Sequence, residues 1–241
     1  LCKTRIRKGA KEVLSLYDIT QDEELYKKLW ANMVKFNRTG SIENRLFEAN
    51  RLNNAIVFFK PTTAKFVYNT LKATKVLDPT AGWGGRLLGA WSAGIDYTGI
   101  DTNINLKPGY TKMIEQLTDY NTKLKKTNSK MEMIYKDCKD IDFATLDYDC
   151  VLTSPPYINL EIYENMTPFQ SEKVYYEWLT DLINKCLKNI KNKGWVCFNI
   201  SPKLYKGLIS AGFRKCQMEI DLLQQKRFGK DKEDKVYCWN K

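Results

Sequence analysis

Five short apolar runs, each closing on polar or turn-forming residues, constrain this chain more than any other feature of its sequence. They are Val76–Leu77 before Asp78-Pro79, Tyr97–Ile100 before Asp101, Met131–Tyr135 before Lys136-Asp137, Cys150–Thr153 before Ser154-Pro155-Pro156, and Trp195–Ile200 before Ser201-Pro202. Runs of this length bounded by turn residues read as buried strands. Helical periodicity is expected between several of them, over about 85–93, 104–126, 171–191 and 203–210. Alternating strand and helix calls for a parallel sheet, because a parallel neighbour is reached only through a crossover. Gln217–Leu223 and Lys235–Trp239 are strand-like, with a polar connection and no helix between them, and are expected to form an antiparallel hairpin at the sheet edge. The expected class is α/β: a Rossmann-like mixed sheet of seven strands, helices on both faces, and an antiparallel terminal hairpin.

Residues 1–60 are expected to form a separate helical N-terminal segment ahead of a domain spanning 61–241. Thr20 and Glu23 have the spacing of a capping box. Leu25, Leu29 and Met33 then recur at i+4 with Tyr26, Trp30 and Val34 beside them, the pattern of an amphipathic helix. Gly40 is expected to end this region and Ser41 to cap the next helix. A further helix is expected to start near Thr62, after Pro61, with Phe66, Val67 and Leu71 on its apolar face. For the segment as a whole, a DNA-recognition element and a dimer contact or scaffold remain alternatives.

A chain of 241 residues with 43% apolar and 28% charged residues can build one α/β domain and a small appendage without staples. The formal net charge of +11 would attract a phosphate backbone, with binding that weakens as salt rises. Charge does not separate DNA from RNA, and a solubilising lysine-rich surface is the alternative. The favoured phosphate contacts are Lys226, Arg227, Lys230 and Lys232 in the hairpin connection. Lys3, Arg5, Arg7 and Lys8 form a second cluster, and Lys123, Lys125 and Lys126 a third. Seven cysteines make no CxxC pair and histidine is absent, so no metal is expected. The missing histidine also removes the usual Ser-His and Cys-His nucleophiles. Scattered thiols and no apolar run of membrane length point to an intracellular setting without a membrane span. That setting is expected to be a prokaryotic or a phage- or virus-infected cytoplasm, with a nucleus as the alternative.

Asp78-Pro79-Thr80-Ala81-Gly82-Trp83-Gly84-Gly85-Arg86 links a buried-looking strand to a helix rich in Leu87, Leu88, Ala90 and Trp91. Its glycines permit a tight turn and close backbone approach to a ligand, and ligands of open α/β sheets lie beyond the carboxyl ends of strands. The loop has neither P-loop nor dinucleotide-fingerprint spacing. Asp101, followed by Thr102, ends the next strand. Its carboxylate can accept from a ribose diol or cap the following helix. Asp137 and Cys138, after the third strand, are candidates to meet an adenine ring or its amine.

Thr153-Ser154-Pro155-Pro156-Tyr157 is the most informative stretch. Two prolines stiffen the chain directly after an apolar strand. The Ser154 hydroxyl and the proline carbonyls can point into one cleft, and Tyr157 can offer an aromatic face to a planar base. The loop at 78–86 together with this corner resembles the S-adenosylmethionine-dependent amino-methyltransferases of DNA, which modify the exocyclic nitrogen of cytosine or adenine. The resemblance covers about 60–241, and its motif order is similar to the gamma-type arrangement.

That resemblance implies a class I methyltransferase fold and S-adenosylmethionine as cofactor, leaving as S-adenosylhomocysteine. It implies cofactor contacts from Lys60, Pro61, Thr62, Asp78, Pro79, Thr80, Ala81, Gly82, Trp83, Gly84, Asp101, Thr102, Asp137 and Cys138. Catalysis falls to Ser154, Pro155, Pro156 and Tyr157. Serine at the first corner position is commoner among cytosine-N4 enzymes, which implies that target over adenine N6. DNA is the implied partner, with RNA, a homodimer or a separate recognition subunit as alternatives. So is a catalytically silent nucleic-acid-binding subunit of the same fold. A metabolic small-molecule methyltransferase would leave the basic charge unexplained.

Overall fold

The computed structural model describes residues 4–5, 13–14, 21–37, 39–41, 59–123, 129–158, 166–191, 193–222 and 234–241. The chain forms two compact units, Leu1–Val57 with Tyr157–Pro168, and Phe58–Pro156 with Phe169–Lys241. In the smaller unit, β1 (Thr4–Arg5) pairs antiparallel with β2 (Val13–Leu14), so this segment is not wholly helical as its sequence suggests. Helix α1 (Glu23–Lys35) buries Met33. Its cap is Asp22 rather than Thr20: the carboxylate accepts from Leu25 N at 3.0 Å, and Glu23 and Glu24 complement the positive end of the helix. The helix stops before Gly40 because Asn37 takes up a left-handed φ of 50°. Past Ser41, the expected second helix lies outside the described residues.

The larger unit runs α2 (Pro61–Leu71), β3 (Lys75–Asp78), α3 (Gly85–Ala93), β4 (Asp96–Asp101), α4 (Lys107–Lys123), β5 (Met131–Tyr135), β6 (Cys150–Thr153), α5 (Glu172–Asn189), β7 (Trp195–Ile200), α6 (Pro202–Ser210), β8 (Met218–Leu222) and β9 (Asp234–Asn240). The stretch expected as one helix over 104–126 is a 3₁₀ turn, Ile104–Leu106, followed by α4. Seven strands form one sheet in the order β5-β4-β3-β6-β7-β9-β8, with β3 to β7 parallel and β9 antiparallel to both neighbours. This is the Rossmann-like mixed sheet expected from the sequence. The hairpin pairs as expected, but its return strand β9 inserts between β7 and β8, so only β8 lies on the edge.

Burial follows position in the sheet. Central strands β6 and β7 are covered on both faces, whereas edge strand β8 alternates exposed and covered residues. From β3 the chain steps outward one way through β4 and β5, and the other way from β6 to β7. Right-handed crossovers in opposite directions put the intervening helices on opposite faces. They also leave a crevice beyond the carboxyl ends of β3 and β6, where the strand order reverses. The loops that follow these two strands carry both sequence motifs.

Helix α2 starts with Pro61 in its first turn, where the missing N–H costs nothing. It packs closely on α3, so a Cβ at Gly89 would lie 2.6 Å from Ala64 Cβ. The buried face is therefore Ala64, Val67 and Tyr68, and Phe66, expected inside, is 54% exposed. The close approach is local to Gly89 and Ala64, Tyr68 reaches Arg86 O on α3 at 3.3 Å, and the Phe66 ring lies on the outward side of the helix. Accordingly, Phe66→Ser should change unfolding free energy by less than about 0.5 kcal/mol. Val67→Ala should cost roughly 2 kcal/mol in urea unfolding, through lost burial and a residual cavity.

Candidate functional site

The loop after β3 is held from three sides. Gly82 and Gly84 take up φ of 61° and 83°, which favour glycine. A Cβ on Gly82 would meet only Thr80 O at 4.0 Å, so the backbone there lines open space. A Cβ on Gly84 would lie 2.7 Å from Met113 Cε, against α4. Tyr110 donates from its hydroxyl to Gly82 O at 2.9 Å, and burial raises its pKa and keeps that proton in place. Gly82 N in turn donates to Asp101 Oδ2 at 2.8 Å.

Asp101 also accepts from Asn103 N through Oδ1 at 2.8 Å, and Asn103 itself caps the 3₁₀ turn by accepting from Asn105 N. Each Asp101 oxygen thus takes one backbone N–H and keeps a second lone pair. Of the two sequence alternatives, the structure shows the local one: the carboxylate organises the turn after β4. Burial raises its pKa, an effect the two backbone N–H groups partly oppose.

Asp78 is fully buried and its carboxylate is engaged by the protein. It accepts from Arg86 Nε at 2.6 Å, Tyr97 Oη at 2.7 Å and Thr153 Oγ1 at 2.8 Å. Arg86 further donates to Thr80 O and Ala81 O at 2.6 and 3.2 Å, and its guanidinium lies 5.4 Å from the Phe59 ring centroid. Burial disfavours the Arg86 charge, but Asp78 outweighs it and the pKa is raised. The Asp78 side chain therefore shapes the loop from beneath. Sequence reasoning did not find Tyr97 or Tyr110, nor the role of Thr153, because each acts on a partner in another strand or loop.

The hydrogen bonds continue into the second motif. With the Thr153 proton given to Asp78, Thr80 Oγ1 donates to Thr153 Oγ1 at 2.6 Å, and it lies 3.2 Å from Ser154 O. The glycine loop and the Ser154-Pro155-Pro156 corner are thereby tied together. Ser154 Oγ faces Asn199 Oδ1 on β7 at 3.5 Å. Pro155 is buried, while Ser154, Pro156 and Tyr157 are half-buried. Tyr157 opens the stretch that belongs to the smaller unit.

The remaining candidates are spread more widely. Pro79 and Ala81 are buried in the loop, and Trp83 is half-buried against the core. Lys60 and Thr62 are exposed at the start of α2, with Pro61 half-buried between them; Thr102 is exposed after β4. Asp137 accepts from Lys139 N at 3.0 Å and pairs with Lys139 Nζ at 3.3 Å. Cys138 is buried, and burial first of all pushes its thiol up to about 12. All six described cysteines are free. Lys123 pairs with Asp119 at 2.6 Å on an exposed helix face. Lys226, Arg227, Lys230 and Lys232 lie outside the described residues, as do Lys3, Arg7, Lys8, Lys125 and Lys126. Among the described residues, no group of three or more acidic, cysteine or histidine side chains is placed to hold a metal ion, and no helix is long and apolar enough to cross a membrane.

The sequence matches no protein-family model and no curated protein. Its chain path is distantly similar to that of several solved methyltransferases. A predicted O-methyltransferase from Agrobacterium tumefaciens superposes with a TM-score of 0.49 at 12% identity, over 75% of this chain and 79% of that one. An RNA methyltransferase from Salinibacter ruber in complex with S-adenosyl-L-homocysteine gives 0.45 at 13% identity, over 76% and 92%. Magnesium protoporphyrin IX methyltransferase from Synechocystis with bound S-adenosylmethionine gives 0.43 at 14%, over 75% and 79%.

Removing the carboxylate of Asp78 would leave the Arg86 charge buried without its partner. Asp78→Ala should therefore lose about 3–5 kcal/mol of unfolding free energy. A thermal midpoint within a degree or two of the parent would show that the ion pair does not hold the two loops.

Proposed function

We propose that this chain is an S-adenosylmethionine-dependent methyltransferase acting on the exocyclic amino group of a nucleic-acid base, with cytosine N4 in DNA as the favoured target. The observation that carries the reading is the hydrogen-bonded continuity from the glycine loop through Thr80 and Thr153 to Ser154. It brings a nucleotide-type loop beside a polar, proline-stiffened corner at the point where the strand order reverses. The loop fits such a cofactor: the backbone at Gly82 borders open space, and Asp101 keeps lone pairs for a ribose diol.

The cofactor supplies an activated methyl group on a sulfonium. The chain must position the acceptor. The lone pair of an exocyclic amine is delocalised into its ring, so the nitrogen becomes nucleophilic when its hydrogens are held by acceptors and the lone pair is freed. Ser154 Oγ and the Pro155 carbonyl are the proposed acceptors. Tyr157, next in the chain, would stack on the base and fix its plane. No covalent enzyme intermediate and no histidine are needed, since positioning and fixed dipoles do the work. A base inside a duplex must be flipped or already unpaired to reach such a corner. Phosphate contacts are assigned to Lys226, Arg227, Lys230 and Lys232, with residues 1–60 as the recognition or dimer-contact segment.

The reading is tested by incubating the protein with labelled S-adenosylmethionine and defined DNA or RNA, then digesting to nucleosides. N4-methylcytosine is the expected product; label in carbon-methylated bases, or in none, sinks the proposal. N6-methyladenine would move the target within the same chemistry. Tyr157→Ala should reduce transfer about a hundredfold with little change in cofactor affinity, following the usual scale for lost positioning. A parallel fall in both would remove the stacking role.

Asp101 gives a pH prediction. The ionised form accepts from a diol, and burial raises its folded pKa from the ordinary aspartate value. Cofactor affinity should therefore be full at neutral pH and fall as acid protonates Asp101, beginning above the pH at which an exposed aspartate titrates. Calorimetric titration of S-adenosylmethionine across this range would show it. Asp101→Ala should bind weakly at every pH; an unchanged affinity would exclude the diol contact.

A further inference from the structure

Asn199 lies on β7 one residue beyond the paired Thr153 and Phe198, which puts it opposite Ser154 in the parallel ladder. It is 6% exposed, a polar side chain buried between β6 and β9. Its Nδ2 donates to the carbonyl of Lys235 on β9 at 2.9 Å. That bond fixes which way round the amide sits: with nitrogen toward β9, the carbonyl Oδ1 is the atom left facing Ser154, 3.5 Å from Oγ. An amide oxygen carries no hydrogen, so in this contact the serine hydroxyl must be the donor. A hydroxyl has one proton; once that proton is directed at Asn199, its remaining capacity is as an acceptor. The Ser154 carbonyl lies 3.2 Å from Thr80 Oγ1, whose one proton goes to the nearer Thr153 Oγ1 at 2.6 Å.

We infer that Asn199 is a positioning residue that orients the Ser154 hydroxyl, so that this corner offers acceptors and selects a target group bearing hydrogens. This inference rests on the methyltransferase reading above and deepens it: an N–H-bearing amine is accepted, and a ring carbonyl or fully substituted nitrogen at the same place is refused. An unmet acceptor buried against Ser154 discriminates by the penalty of leaving polar groups unpaired. The strand register explains why the role falls to β7, the only strand adjacent to β6 on that side.

The test compares two isosteric changes. Asn199→Leu keeps the shape and removes the acceptor; Asn199→Asp keeps an oxygen toward Ser154. The expected result is a fall of about fivefold to tenfold in kcat for Asn199→Leu, with KM for S-adenosylmethionine unchanged. Asn199→Asp should recover most of that loss. In a Ser154→Ala background, Asn199→Leu should cost nothing further, because the group it orients is gone. Equal activity of the Leu and Asp variants, or losses that multiply fully in the double variant, would overturn the inference. A readout without substrate separates this outcome from failure of the functional reading. The Asn199 side-chain amide resonances, assigned by their absence in Asn199→Leu, should shift in Ser154→Ala. If they do not move, the two side chains are not coupled. If they move, but product nucleosides carry methyl elsewhere than on an exocyclic nitrogen, the coupling stands and the amine assignment falls.

Discussion

Everything at the crevice hangs on the carboxylate of Asp78. It is fully buried at the end of the first strand of the parallel sheet, and it collects a guanidinium, a phenol and a threonine hydroxyl from three different elements. An unpaired charge in that position would be prohibitively costly, so the three donors and the acceptor require one another. The geometry of the glycine loop follows. Arg86 reaches back to the carbonyls of Thr80 and Ala81 and so clamps the loop that precedes its own helix. Through Thr153 and Thr80 the same network crosses to the neighbouring strand and reaches the backbone of Ser154. Two segments some seventy residues apart become one rigid floor.

The repeating part of this design was legible in the sequence. Strands β5, β6 and β7 and helix α3 lie where short apolar runs and the intervening periodicity put them; for β6 and β7 the reason is that a doubly covered strand is built from continuous apolar residues. Ends and caps were less legible. The cap is Asp22, two residues beyond Thr20, because the first turn of α1 starts at Glu23, and Asn37 ended α1 through a backbone conformation that composition does not reveal. Phe66 faces outward because the face of α2 that meets the core carries Ala64, Val67 and Tyr68, a fact about how the helix is rotated in the fold rather than about its own sequence.

In the candidate site, the motif residues were readable as types and their division of labour was not. Asp78, a cofactor-contact candidate by sequence, also accepts three hydrogen bonds from within the protein. Tyr97, Tyr110 and Asn199 carry no local signature; each acquires meaning only from a partner on another strand or helix. The corner itself has a mixed allegiance. Ser154, Pro155 and Pro156 belong to the larger unit, the next twelve residues group with the N-terminal unit, and the chain rejoins at Phe169, which is anchored edge-on against Tyr175 and beside Trp178.

The inserted position of β9 sets an order on assembly. Strand β8 is made first, yet its ladder partner in the sheet is β9, which comes later in the chain. Strand β8 can join the sheet only through β9, which also covers the open side of β7. Five parallel strands can gather while synthesis continues, but closure of this flank waits for the last residues of the sheet. Clipping the chain within β9 after release would therefore strip two ladders at once and leave β8 adrift.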